Sequence, residues 1–163
     1  MVTLFIAERG DSIVSLLKTA FATKKIICSH NPVNTHCDYM LTTPDFKHCD
    51  MVLLHHQTPC PVGDYMTIMN TDERHNGPIN KQAPILAYGL NPLATVTASS
   101  ICIEENHTAF SCCLQRSIVT LKGKMIEPQE IPMRLPTEDI SSALAFAALG
   151  LVLSFAPEDF LLI

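Results

Sequence analysis

The sequence predicts an α/β fold, in which a Rossmann-like parallel sheet in the amino-terminal half continues into an antiparallel β meander and a C-terminal helix. Three observations support this prediction. Short apolar runs alternate with helical or loop segments up to residue 80, strand-like segments separated by turn signals follow residue 84, and an alanine-rich apolar stretch precedes the end of the chain. We expect a single domain over residues 1–163, with a parallel α/β half at 1–80 and the meander plus helix at 81–163.

The amino-terminal half contains one amphipathic stretch, Ser12–Lys24, which places Ile13, Leu16 and Leu17 on one face of a predicted helix. Four apolar runs have the length of strands: Val2–Ala7, Lys25–Ser29, Asp50–His55 and Tyr65–Met69. The order strand, helix, strand, with strands apolar on both faces, is typical of a parallel sheet.

The second half contains alternating or β-branched segments after the apolar run Pro84–Gly89: Ala94–Glu104, Ala109–Ser117, Ile118–Leu121 and Met125–Arg134. The turn signals "ENHT" and "KGK" separate them, which predicts an antiparallel meander. A helix is predicted from about Glu138 to Ser154, with Thr137 as its N-cap. Its body, "SSALAFAALGLVL", is apolar enough for burial against a sheet.

Composition restricts the classes of function. The chain has 163 residues, of which 47% are hydrophobic and 17% charged, and its formal charge is −5. An acidic chain without Lys/Arg runs is not expected to bind nucleic acid or acidic membranes. Since the apolar runs are shorter than a membrane span and the amino terminus lacks a basic start, we expect a soluble, cytoplasmic protein. Seven cysteines without a regular spacing indicate reduced thiols rather than a disulfide framework.

A resemblance to a known family rests on the order of three segments. These are "YMTIMNTDER", "ILAYGLNPLATVTASSI" and, after the meander, "LPTEDISSALAFAALGLVLSFAPEDF". Together they resemble the later part of the central ATP-binding domain of Mur ligases, where a strand ends in Asn-x-Asp-Asp, a strand ending in Tyr/Phe-Gly follows, and a helix opens with Gly-x-His-Asn-x-x-Asn-Ala-Leu-Ala. The resemblance covers most of residues 62–163. In the same register, "AERGDS" lies where the family has its ATP-binding loop "GTNGKT", and "LTTPDF" resembles a following Thr-Thr-Pro segment.

The chain departs from the family pattern at the positions that handle phosphate. Asp11 occupies the place of the loop lysine, and the candidates for the magnesium-binding glutamate are Leu54, His55 and His56. About sixty residues separate the loop from "NTDE", far fewer than in the ligases. The resemblance therefore implies a shortened, non-catalytic relative with weak or absent ATP/Mg binding, in which Glu138, Asp139 and Ser142 replace the polar residues of the family's helix. The alternative is a shared α/β scaffold without a related function.

Polar residues that remain at these positions are candidates for ligand binding. Arg9, Gly10 and Ser12 belong to the degenerate loop, while Asn70 and Asp72 follow a predicted parallel strand, where open α/β sheets bind their ligands. The alternative for Asn70 and Asp72 is a turn capped by their side chains. We therefore interpret the protein as a binding or regulatory module for a nucleotide, a cell-wall precursor or a partner protein. A minimal ATP-dependent ligase is a further alternative.

A second candidate site lies between residues 28 and 60, where cysteine and histidine residues are frequent. The near-repeat "THCD" and "KHCD" suggests His36, Cys37, His48 and Cys49 as ligands of a zinc ion, which prefers four such groups. This would make the protein a metal-binding or redox-responsive one. Because the spacing contains no Cys-x-x-Cys pair, the alternative is buried thiols and hydrogen-bonded imidazoles.

The last residues, "DFLLI", are apolar and need cover within the fold or from another chain. A homodimer or a complex with a partner protein would provide it.

Overall fold

A computed structural model describes residues 2–7, 12–20, 26–29, 39–42, 49–56, 63–75, 80 and 82–161. The strands are β1 Val2–Ala7, β2 Ile26–Ser29, β3 Tyr39–Thr42, β4 Met51–Leu54, β5 Met66–Asn70, β6 Ile85–Tyr88, β7 Val96–Glu104, β8 His107–Leu114, β9 Ile118–Val119, β10 Met125–Ile126 and β11 Gln129–Leu135. The helices are α1 Ser12–Ala20 and α2 Ile140–Leu153, and a short 3-10 helix spans Pro157–Phe160. No helix of the described residues has the length and apolar character that crossing a bilayer requires.

The main sheet has nine strands in the order β11-β8-β7-β6-β5-β4-β1-β3-β2. Strands β2 to β6, together with β1, pair in parallel, and β6 also pairs in parallel with β7 at Tyr88 and Val96. Strands β7, β8 and β11 pair antiparallel. This architecture confirms the predicted fold class, a parallel half that continues into an antiparallel meander and a C-terminal helix.

Two features of the sheet differ from the sequence-based prediction. Strand β3 was not predicted, because a run of four residues after a polar segment carries too weak a periodic signal, yet it lies between β1 and β2. Strands β9 and β10, expected as members of the meander, form a separate two-stranded hairpin. Strand β7 contains an irregularity between Ser99 and Cys102, where Ser100 has a φ of 52°.

Helix α2 is the centre of the core. Every residue from Ser142 to Leu153 is buried, so the helix is enclosed by the sheet, by α1 and by the C-terminal segment. Phe146 makes an edge-on contact with Phe160 of the 3-10 helix. The opposite face of the sheet has a smaller apolar cluster of Phe5, Val52, Leu54 and Tyr65.

The start of α2 corrects one prediction. The N-cap is Asp139 rather than Thr137, since the Asp139 carboxylate accepts the backbone N–H groups of Ser141 and Ser142. The Thr137 hydroxyl instead accepts the backbone N–H of Asp139, at 3.1 Å. A carboxylate at this position satisfies two unpaired donors and lies at the positive end of the helix dipole.

Candidate functional site

Polar side chains meet at the carboxyl edge of the parallel strands. His55 follows β4, Asn70 ends β5, Tyr88 ends β6, and the first turns of α1 and α2 bring Ser12 and Ser142 to the same edge. The edge is shared because β4, β5 and β6 run parallel in register. We call the connected group the His55 network; it consists of Ser12, His55, Asn70, Tyr88, Asp139, Ser141 and Ser142.

His55 is at the centre of the network and is almost fully buried, with 1% of its surface exposed. Its Nδ1 lies 2.7 Å from the hydroxyl of Tyr88, and its Nε2 lies 3.5 Å from the Oγ of Ser142. Burial, and then the charge of neighbouring His56, lowers the pKa of His55 to about 4. The imidazole is therefore neutral at pH 7.

Asp139 determines how the protons of the network are arranged. The hydroxyl of Ser142 donates to the Asp139 carboxylate at 2.5 Å. Burial alone would raise the pKa of Asp139, but hydrogen bonds from the Ser142 side chain and from the backbone N–H groups of Ser141 and Ser142 outweigh burial and lower the pKa. With its proton directed to Asp139, Ser142 accepts from Nε2–H of His55, and Nδ1 then accepts from the Tyr88 hydroxyl. Neutral His55 thus has a partner for each ring nitrogen.

Asn70 ties β4 to α2. Its Nδ2 donates to the backbone oxygen of His55 at 3.3 Å and to the Ser141 hydroxyl at 3.1 Å. Its Oδ1 accepts the backbone N–H of Asp72 at 3.0 Å. The last contact is the capped turn that the sequence offered as an alternative to ligand binding; the ligand-binding role of Asn70 stays a prediction.

Asp72 holds the loop that follows β6. Its carboxylate accepts the backbone N–H groups of Leu90 (2.6 Å) and Asn91 (3.1 Å), and also the Asn91 side-chain amide (2.9 Å). Gly89 permits this close approach, since a Cβ at that position would lie 2.8 Å from both carboxylate oxygens. Any ligand that bound Asp72 would compete with three intramolecular hydrogen bonds; this predicted role also stays a prediction.

Of the other predicted site residues, one belongs to the His55 network and most lie outside the described residues. Ser12 joins the network through a hydrogen bond of 3.3 Å with Ser142. Arg9, Gly10 and Asp11 lie outside the described residues, as do the proposed zinc ligands His36, Cys37 and His48. The fourth ligand, Cys49, is half-buried just before β4. The described part of the chain holds no group of three or more His, Cys, Asp or Glu side chains suited to a metal ion.

The structure describes the side chains of four of the seven cysteines, Cys49, Cys102, Cys112 and Cys113, and none of these four is in a disulfide. The reduced state of the thiols stays a prediction. On β8, Cys112 is buried and Cys113 half-buried, because adjacent strand residues point to opposite faces. Burial, and then the charge of Cys113, raises the pKa of Cys112 to about 12, so Cys112 is inert as a nucleophile at neutral pH.

Comparison with solved structures identifies the fold. MurF from Acinetobacter baumannii superposes with a TM-score of 0.60 at 8% identity, over 98% of this chain and 44% of that one. A UDP-N-acetylmuramoyl-L-alanyl-D-glutamate–2,6-diaminopimelate ligase gives a TM-score of 0.61 at 9% identity, again over 98% and 44%. The chain has a Mur-ligase-like fold. At the level of sequence, no protein-family model and no curated protein matches it.

The similarity to these structures shows the fold of the chain and does not show an activity. The chain spans less than half the length of these two proteins. At sequence identities of 8% and 9%, the functional residues of those proteins cannot be assigned to positions of this chain. Two members of the network were missed by sequence reasoning, Tyr88 and Ser141. Tyr88 lies in the "AYG" segment that carried the resemblance, but nothing local indicated a contact with a histidine 33 residues away.

Proposed function

We propose that this chain is a non-catalytic Mur-ligase-like module with a binding or regulatory role, in which the carboxyl edge of the parallel strands supports neither tight Mg-ATP binding nor phosphoryl transfer. The observation that carries the proposal is that His55 is buried and neutral at pH 7. By resemblance, the end of β4 is where a Mur ligase has its magnesium-binding glutamate, and the end of β4 here leads into a buried, neutral imidazole.

The chemistry of this edge does not suit Mg²⁺. The ion prefers oxygen ligands in octahedral geometry, and a neutral imidazole supplies neither the oxygen nor the negative charge. Both nitrogens of His55 are engaged, with Tyr88 and Ser142. The carboxylate of Asp139 is nearby, but it accepts three hydrogen bonds within the first turn of α2. A metal at this edge would have to break contacts that hold β4, β6 and α2 together.

The sequence of the loop supports the same proposal. Asp11 stands where the family has the lysine that contacts the terminal phosphates of ATP. Two unit charges about 4 Å apart at an effective dielectric near 20 interact by roughly 4 kcal/mol. Replacement of a cation by an anion would therefore weaken ATP binding by about a thousandfold or more. Phosphoryl transfer depends on positioned cations, so loss of both the lysine and the metal-binding carboxylate removes the basis of catalysis.

Isothermal titration with Mg-ATP tests the proposal directly. The wild type, Asp11→Lys and a matched control, Glu105→Lys, are compared, because the control makes the same change of charge at an exposed turn. We expect weak or no binding by the wild type and the control, and a gain of at least a hundredfold in affinity for Asp11→Lys.

Tight binding of Mg-ATP by the wild type, together with ATP turnover, would contradict a non-catalytic role and favour a minimal ligase. Absence of binding by all three proteins would show that "AERGDS" is only a turn and not a degenerate phosphate-binding loop, and would remove the loop from the proposal. A gain by Glu105→Lys equal to that of Asp11→Lys would attribute the effect to net charge rather than to the loop.

A further inference from the structure

The β9–β10 hairpin exposes an apolar pair that the fold does not require. Val119 and Met125 are directly opposite each other in the register, with 56% and 59% of their surfaces exposed. Backbone hydrogen bonds close the turn, from Thr120 to the Lys124 oxygen at 2.8 Å and from Gly123 to the Thr120 oxygen at 2.9 Å. The pair is therefore presented on an ordered element and not on a loose loop.

A groove lies beside this hairpin. It has a volume of about 330 Å³ and runs between the β10 side of the hairpin, β11 and the C-terminal end of α2. Its apolar lining includes Ile126, Ile131, Leu151, Phe155 and Phe160, and Met125 extends the apolar surface onto the hairpin. This size and lining are typical of a site that receives apolar side chains.

The polar groups around the groove favour an anionic partner group. Lys122 and Lys124 flank Gly123 at the hairpin tip, both are exposed, and neither forms an ion pair with a described residue. Glu127, the acidic residue that lines the groove, accepts the Ser117 hydroxyl at 2.7 Å. The chain as a whole carries a charge of −5, so a tip with two cations is a local feature and complements carboxylates.

An unpaired strand edge borders the same groove. Strand β11 is the last strand of the sheet order and pairs only with β8 among the described strands. Leu161 forms a parallel bridge with Arg134, which covers the carboxyl-terminal part of this edge. No described strand adjoins the other side of Gln129–Ile131, so its backbone groups there can pair with an added segment.

We propose that the β9–β10 hairpin and this groove, together called the hairpin groove, bind an extended apolar segment of another protein that carries Asp or Glu next to its apolar residues. The apolar side chains enter the groove and cover Val119 and Met125, the carboxylates pair with Lys122 and Lys124, and the backbone adds to β11 at Gln129–Ile131. The inference is independent of the function proposed for the carboxyl edge, since it uses none of its residues.

Two other occupants fit less well. An anionic membrane would be attracted by about 1 kcal/mol for each lysine, which two lysines on a chain of charge −5 cannot turn into stable binding. A second copy that docked hairpin against hairpin would bring the same two lysines to the contact, where like charges oppose each other.

A selection experiment tests the proposal. Random 12-residue peptides displayed on phage are selected on the immobilised full chain, and the enriched peptides are then titrated by fluorescence anisotropy. We expect a consensus of clustered apolar residues with at least one Asp or Glu. Met125→Ser and Val119→Ser should each weaken binding about tenfold. Because both side chains are exposed, the variants should fold, which thermal unfolding checks.

Charge exchange gives the decisive comparison. Lys124→Glu should weaken the selected peptides about tenfold, and a new selection on that variant should replace their Asp or Glu by Lys or Arg. Lys18→Glu makes the same change of charge on the exposed side of α1 and should leave the affinity unchanged. Each of the following would overturn the proposal: no enrichment, a consensus without acidic residues, equal binding by Met125→Ser, binding to phosphatidylserine vesicles in place of peptides, or self-association that Met125→Ser abolishes.

Discussion

The His55 network and the hairpin groove use their side chains in opposite ways. In the network, the His55, Tyr88 and Ser142 side chains are buried and satisfy one another. In the hairpin groove, Val119 and Met125 are more than half exposed, and the two lysines have no ion-pair partner among the described residues. The difference teaches that the polar groups of the His55 network are engaged with one another within the fold, whereas the apolar and cationic groups of the hairpin groove are exposed to solvent.

Phe160 gives the largest expected effect, because it lines the groove but belongs to the core. It is 2% exposed and contacts both Phe146 and Phe155. Phe160→Ala should lower the free energy of unfolding by about 3–5 kcal/mol, since it removes a buried ring and leaves a cavity. Denaturant titration measures the loss; a value below about 1 kcal/mol would mean that the C-terminal segment is not docked and that the boundary between core and groove is misplaced.

The pH dependence of stability tests whether the network holds a neutral His55. Its pKa is about 4 when folded and should be near 6.5 when unfolded, so the unfolded state binds more protons between these values. The contribution of His55 is complete above pH 6.5 and is lost as the pH falls towards 4. For this group alone, the free energy of unfolding should fall by about 2 kcal/mol between pH 7 and pH 5.

A pair of histidine variants isolates that contribution. His55→Asn should reduce the loss of stability between pH 7 and pH 5, and His107→Asn, at the start of β8 and outside the His55 network, is the matched control. An identical pH profile for His55→Asn and wild type would show that the ring titrates normally and that the network is open to water.

The cap of α2 should have a smaller effect. Asp139→Ala removes the acceptor for the backbone N–H groups of Ser141 and Ser142 and for the Ser142 hydroxyl. We expect a loss of about 1–2 kcal/mol in the free energy of unfolding. Asp139→Asn keeps a capping oxygen and should recover more than half of it. If Thr137→Ala destabilised the protein more than Asp139→Ala, the helix would begin where the sequence first suggested.

The smallest effect on the free energy of unfolding is expected in the hairpin groove. Met125→Ser should change the free energy of unfolding by less than about 0.5 kcal/mol, because the side chain is mostly exposed. A loss of 2 kcal/mol or more by thermal or denaturant unfolding would assign the hairpin pair to the stability of the fold and remove the reason to regard it as a binding surface.

Local patterns predicted those parts of the fold that have strong periodicity. Helix α2 was predicted at 138–154 and spans Ile140–Leu153, because an apolar alanine-rich run without proline has few alternatives to a buried helix. Strand β7 was predicted from Ala94 and begins at Val96, with the same end at Glu104. Strand β3 was missed, since four residues are too few to distinguish a strand from a loop, and its place between β1 and β2 depends on contacts distant in sequence.

The candidate site was predicted less completely, for a related reason. Sequence reasoning placed Asn70 and Asp72 at the end of a parallel strand and Ser12 in the degenerate loop. It could not foresee that Asp72 would hold the loop after β6 through Leu90 and Asn91, 18 and 19 residues away. Sequence reasoning also named His55 among the residues at the end of β4, but it did not predict the hydrogen bonds of His55 with Tyr88 and Ser142. Side chains that lie adjacent in sequence on a strand point apart, so their partners come from other elements.

The sequence by itself determined the α/β class, the buried helix and the unusual Asp11, since composition, periodicity and residue identity are local properties. Only the tertiary structure decided that His55 is neutral and enclosed, that Asp139 rather than Thr137 caps α2, and that Val119 and Met125 face solvent beside a groove. Burial is the physical reason for His55 and for the apolar pair: it lowers the pKa of the histidine, and it separates an apolar residue of the core from one that faces solvent. Local geometry is the reason for the cap, because the Asp139 carboxylate reaches the backbone N–H groups of Ser141 and Ser142.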